Sequence, residues 1–94
     1  MSQKRIYWLE FEMRDQASAR MRALVCAVAE SSFDATAKAE AWLRRRNFVD
    51  VNAKRCRSEA AFSGIALAPI ESVLLREALK RGAAGYVRPD ILVE

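Results

Sequence analysis

An alternation of apolar and acidic residues near the amino terminus constrains the fold more than any other feature of this sequence. Over Ile6–Met13 the odd positions are apolar, whereas Glu10 and Glu12 occupy even positions. A period of two residues with aromatic enrichment is typical of a β-strand that buries one face. We therefore predict a strand whose even-numbered face is exposed to solvent, and this prediction places Trp8 on the exposed face.

A second strand is predicted over Met21–Ala29, after a polar connection of hairpin length. Its residues are apolar at odd and even positions alike. Strands that are apolar on both faces are usually central in a sheet. The second strand is therefore expected to have a neighbour on each side.

A helix is predicted next, with Ser32 or Asp34 as its N-cap. Asn47 suits the left-handed position that ends a helix, and Phe48 after it can fold back onto Leu43. The residues expected to face the core recur at helical spacing: Ala35, Ala39, Trp42 and Leu43.

The remaining sequence predicts a third strand over residues 48–57 and a second helix that begins at Pro69 and ends at Gly82. Residues 58–68 favour neither helix nor strand, and residues 91–93 are compatible with a short edge strand. The prediction is one α+β domain over residues 1–94, in the order β-β-α-β-α with a possible terminal β. Its sheet has three to four mainly antiparallel strands, covered on one face by two helices.

The residue inventory argues against an enzyme. The sequence contains no histidine, the most frequent general acid or base at neutral pH, and no cluster of glycines that could cradle a phosphate. Its two cysteines, Cys26 and Cys56, lack metal-ligand spacing and are expected to be free thiols. Glu10 and Glu12 share a strand face, where alternating acids usually form only the hydrated side. We therefore predict no catalytic, cofactor-binding or metal-binding residues.

Positive charge is concentrated in one segment. From Arg44 to Arg57 the chain has six basic residues and one acid, a net charge of +5, whereas the whole chain carries +4. Most of the basic residues are arginines, whose forked guanidinium matches carboxylate or phosphate. Three interpretations stay open: a solvated face, a contact with an acidic protein surface, or a contact with nucleic acid.

The expected function is that of a non-enzymatic protein-binding module. The overall profile is similar to that of small accessory or inhibitor proteins of bacteria and their phages, which mask a surface of a partner. The alternative is a nucleic-acid-binding accessory protein that uses the segment Arg44–Arg57. The partner-binding residues predicted on either basis are Trp8, Glu10, Glu12, Arg44, Arg45, Arg55 and Arg57.

Location and assembly are predicted from the apolar runs. None approaches the roughly 20 residues that span a bilayer, and acidic residues interrupt the amino-terminal run, unlike a signal peptide. We therefore expect a cytoplasmic protein without membrane contact. A chain this short has a small core, so both a monomer and a homodimer stay open.

Overall fold

The computed structural model describes residues 3–59 and 69–90, and these form an antiparallel sheet and two helices. The elements are β1 (Arg5–Arg14), β2 (Arg20–Ala29), α1 (Ser32–Arg44), β3 (Val49–Glu59), α2 (Pro69–Arg81) and β4 (Ala83–Pro89). The strand order is β3-β1-β2-β4, so β1 and β2 are central, as predicted for β2. The predicted α+β class is confirmed. The ambiguous residues 60–68 and the possible strand at 91–93 lie outside the described residues.

Side-chain hydrogen bonds fix the hairpin between β1 and β2. The Asp15 carboxylate accepts hydrogen bonds from the backbone N–H groups of Ala17 and Ala19, each at 2.9 Å. Ser18 adopts a left-handed conformation with φ of 65°. Such local bonds are the reason that Asp and Ser favour turns, and here they set the register in which Arg5 pairs with Ala29.

Both ends of α1 are capped. The N-cap is Ser31, one residue before the first of the two predicted caps, and its hydroxyl accepts a hydrogen bond from the Asp34 N–H at 3.1 Å. At the other end Asn47 takes φ of 68°, and the Phe48 N–H donates to the Leu43 carbonyl at 3.3 Å. The predicted carboxyl-terminal cap of α1 is therefore confirmed.

The sheet buries apolar side chains on both of its faces. The odd-numbered residues of β1 and β2 pack against α1, through Ala35, Ala39 and Leu43. We call this side the α1 face. Even-numbered residues form a second, smaller core with Leu74 and Ala78 of α2, and we call this side the α2 face.

The prediction that both helices cover one face of the sheet was therefore wrong. Only the second half of β1 carries acids on its even positions; the first half carries Ile6 and Trp8 there. These two side chains, together with Cys26 of β2, need cover on the α2 face. Because a helix must bury its apolar stripe against another element, α2 packs on them.

The two edge strands differ from their predictions. β3 shows register shifts opposite Glu10/Phe11 and opposite Glu12/Arg14, which break the simple alternation expected for it. Asp50, at the second irregularity, has φ of 51°. Bulges and charged residues on an edge strand hinder pairing with other chains. β4, which pairs with β2, includes Gly85 and Tyr86 and was not predicted as a strand.

Candidate functional site

Helix α2 covers only one half of its face of the sheet. The covered half contains Ile6, Trp8 and Cys26, all buried. Beyond them, the register brings two further rows of side chains side by side across the four strands. One row is Arg55, Glu10, Leu24 and Tyr86, and the next is Asn52, Glu12, Arg22 and Arg88.

Ion pairs connect neighbouring strands across this uncovered half. Arg55 lies 3.6 Å from Glu10, and Glu12 lies 3.6 Å from both Arg22 and Lys54. All these side chains are substantially exposed. Exposed pairs contribute only about 0–1 kcal/mol each to stability. The main effect of these ion pairs is therefore to orient the charged side chains, and their contribution to the stability of the fold is small.

The uncovered half forms a groove, which we call the charged groove. Its volume is about 460 Å³, and Leu24 and Phe11 contribute to its walls. Two half-exposed apolar side chains border it: Ile70 of α2 is 39% exposed and Tyr86 of β4 is 47% exposed. Among the described residues, four cations and two carboxylates line it, with a net charge of +2: Arg22, Lys54, Arg55 and Arg88 against Glu10 and Glu12.

The structure brings some predicted site residues together and separates others. Glu10, Glu12 and Arg55 lie in the charged groove. Arg57 lies beside it and contacts Glu71 in the first turn of α2 at 3.2 Å. The sequence reasoning missed Arg22, which the hairpin register places opposite Glu12, and it missed Arg88 because β4 was not predicted.

The exposed position predicted for Trp8 was wrong. Its side chain is 1% exposed and belongs to the core beneath α2. The even-numbered face of β1 changes from apolar to acidic along the strand, so its first half is core and its second half is surface. Among the described residues, the Trp8 indole Nε1 is the one buried side-chain nitrogen or oxygen without a hydrogen-bond partner.

The arginines at the end of α1 lie on the opposite side of the sheet from the charged groove, because α1 packs on the other face. Arg44 pairs with Glu40 within the helix at 3.4 Å, and the Arg45 Nε donates to the Ala41 carbonyl at 3.3 Å. The continuous basic segment of the sequence is thus split in space. A single flat partner surface therefore cannot contact Arg44 and Arg45 together with Arg55.

Arg46 and Trp42 form a compact pair. The Arg46 guanidinium carbon lies 3.5 Å from the centre of the Trp42 ring, and an Arg46 nitrogen donates to the Trp42 carbonyl at 3.1 Å. Burial lowers the pKa of Arg46, and the nearby Arg45 and Arg81 lower it further. Trp42 also packs against the core, as predicted, although it is only partly buried. The Trp42 ring therefore already contacts both the Arg46 guanidinium and the core.

The two cysteines are free thiols and lie on different faces of the sheet. Cys26 is buried in the α2-side core, and Cys56 is exposed on β3, opposite Leu9 of the α1 face. Burial raises the pKa of Cys26 to about 12 and also raises the pKa of Cys56. Both thiols are consequently protonated at neutral pH, whereas a cysteine nucleophile requires the thiolate.

Within residues 3–59 and 69–90, no group of His, Cys, Asp or Glu side chains is arranged to hold a metal ion. No helix in the described part of the chain has the length and apolar character needed to cross a membrane. Comparison with family models, with curated proteins and with solved structures gave no match.

Proposed function

We propose that the protein is a non-enzymatic binding module that docks its charged groove against an acidic surface of a protein partner. As an accessory or inhibitor protein, it acts by masking that surface. One observation carries the proposal: the half of the sheet that α2 leaves uncovered gathers a cationic excess and a half-exposed tyrosine in one groove.

The composition of the groove supports a protein partner. Tyrosine and arginine are enriched among the residues that dominate binding energy at protein interfaces. Tyr86, Ile70 and Leu24 supply apolar area, and Arg22 and Arg88 flank it with positive charge. Opposite charge on a partner would steer the encounter and fix its orientation.

The same groove suits nucleic acid less well. Glu10 and Glu12 lie among its cations and interrupt the positive charge, whereas a nucleic acid presents a phosphate at every nucleotide. Sequence-tolerant binding of single strands also depends on aromatic side chains that stack with bases. Near the basic segment, Trp42 is covered by Arg46, and Phe48 packs against the core.

Affinity capture from cell extract with matched variants tests the proposal. Wild-type protein is compared with Tyr86→Ala/Arg88→Glu, which alters the charged groove, and with Arg44→Glu/Arg45→Glu, which reverses charge on α1. We expect one protein to be captured by the wild type and by the α1 variant but not by the groove variant. Its direct binding is then measured by calorimetry with both purified proteins.

Nuclease treatment of the extract separates the two classes of partner. Capture that survives the nuclease and depends on Tyr86 and Arg88 supports docking to a protein. Capture that the nuclease abolishes, or that the α1 variant loses and the groove variant keeps, contradicts it. Circular dichroism of each variant verifies that the fold is intact.

A further inference from the structure

The unpartnered indole of Trp8 marks a point where the α2-side core meets the charged surface. Its N–H is buried, and no acceptor lies within hydrogen-bond distance among the described residues. Leaving such a donor unsatisfied destabilises the folded state, because the N–H has lost its hydrogen bond to water. A packed core usually avoids this cost, so a donor left over on a residue that lines a cavity needs an acceptor from outside the chain, such as a water, an ion or a ligand group.

Trp8 forms part of the wall of a cavity of about 290 Å³. The other lining residues in the described part of the chain are Glu10, Leu24, Arg55 and Arg57. The side chains of Arg55 and Arg57 are 74% and 56% exposed, so both can rearrange around a ligand at little cost in packing. The described part of the cavity wall therefore combines the indole that carries the unpartnered N–H with two guanidinium groups, a set that can accept an anion once the arginine side chains move aside.

The charge balance selects the kind of anion. Arg55 already faces Glu10 at 3.6 Å, and Arg57 contacts Glu71 at 3.2 Å. These four side chains carry no net charge, so an anion binds only where the arginines turn from their own carboxylates towards it. Such a site suits a singly charged carboxylate, whose two oxygens can accept from different donors, better than a phosphate of higher charge.

We propose that this cavity receives the carboxylate of a glutamate or aspartate side chain from the partner. The Trp8 Nε1–H donates to one carboxylate oxygen, and the Arg55 and Arg57 guanidinium groups bind the other. This inference rests on the proposed function, because it assigns the anchor point of the acidic protein surface that docks there. In this arrangement the Trp8 ring stays buried in the core, and only its N–H group contacts the partner.

The first test locates the carboxylate by NMR. Protein labelled with ¹⁵N-tryptophan is titrated with a capped hexapeptide that contains two glutamates, and separately with the same peptide carrying glutamines. We expect the Trp8 indole signal to shift saturably with the glutamate peptide only, while the Trp42 signal stays in place. A thymidine hexanucleotide at equal ionic strength should leave the Trp8 signal unchanged.

The second test measures affinity for the same glutamate peptide, labelled with fluorescein, by anisotropy. Trp8→Phe keeps an aromatic ring in the core and removes the donor together with the five-membered ring, and Arg55→Gln removes one guanidinium. Each should weaken binding at least about tenfold, because each variant loses a hydrogen bond to a charged group. Arg44→Gln, on the other side of the sheet, should bind like the wild type.

Several results would overturn the carboxylate site. They are a Trp8 signal that ignores the glutamate peptide, an equal response to the glutamine peptide or the oligonucleotide, and unchanged affinity in folded Trp8→Phe. The docking proposal is judged separately, because Tyr86 and Arg88 do not line this cavity. Capture that still depends on those two residues would leave the docking surface standing without the carboxylate site.

Discussion

The two faces of the sheet differ in how much of their length is apolar and covered by a helix. On the α1 face, apolar side chains continue along the whole of β1, from Tyr7 to Met13, and are covered by α1. On the α2 face, the apolar core includes Ile6 and Trp8 and gives way to charge at Glu10. The two faces thus differ in packing: α1 covers the apolar residues of its face along β1, whereas α2 covers only the apolar half of the other face.

Small residues explain why α1 can close its face so completely. Ala23 and Ala27 of β2 meet Ala35 and Ala39 of α1 in one buried cluster. At the edge of that face, Gly85 makes room for Trp42, since a Cβ on Gly85 would lie 2.7 Å from Trp42 Cζ3. Close backbone approach of this kind gives a well-packed interface between helix and sheet.

The largest effect is expected from Trp8→Ala, which breaks the smaller core. Removing a fully buried tryptophan should lower the free energy of unfolding by about 3–5 kcal/mol, as measured by urea denaturation. Trp8→Phe should be much milder, because its phenyl ring keeps much of the buried apolar area that Trp8→Ala loses. If Trp8→Ala leaves stability unchanged, Trp8 lies at the surface, as the sequence pattern suggested, and the division of the α2 face described above is wrong.

The features that the sequence predicted correctly are those that depend on residues close together in the chain, such as the ends of the helices. Capping and backbone preferences of single residues explain three helix ends. They are the left-handed Asn47 that follows the end of α1 at Arg44, the start of α2 at Pro69 and the end of α2 before Gly82. The two apolar faces of β2 correctly identified a central strand.

Features that depend on pairing between distant segments could not be predicted in the same way. The alternation in β1 gave no sign that α2 would cover Trp8, because that contact joins residues far apart in sequence. Arg22 and Arg88 meet only through the register of β2 with β4. The basic segment, continuous in sequence, is divided between the two sides of the sheet because α1 and the Arg55 side chain lie on opposite faces.

A smaller loss is expected from Gly85→Ala, which tests the α1 face. The added methyl group would lie within 3.1 Å of Val25 Cγ2 and closer still to the Trp42 ring. Overpacking of this kind should cost about 1–3 kcal/mol in thermal or urea unfolding. The matched control is Ala83→Gly, which deletes a methyl group at the neighbouring position on the same face of β4. Wild-type stability in Gly85→Ala would show that α1 packs less closely than described.

The smallest effect is expected at Leu79, on the outer side of α2. Its side chain is 63% exposed, so Leu79→Lys should change the free energy of unfolding by no more than about 0.5 kcal/mol. Light scattering of wild type and variant gives a second reading, because a homodimer that buries Leu79 would dissociate. A large loss of stability together with a halved mass would assign this side of α2 to self-association.

Binding of the captured partner as a function of salt tests the role of the charged groove most directly. The dissociation constant is measured from low to high salt for the wild type, for Arg55→Glu/Arg88→Glu in the groove, and for Arg44→Glu/Arg45→Glu on α1. We predict that the groove variant binds on the order of tenfold more weakly at low salt and with a flatter salt dependence, because its charges no longer complement an acidic partner. The α1 variant should follow the wild type. Identical curves for the groove variant and the wild type, with both proteins folded, would contradict docking through the charged groove.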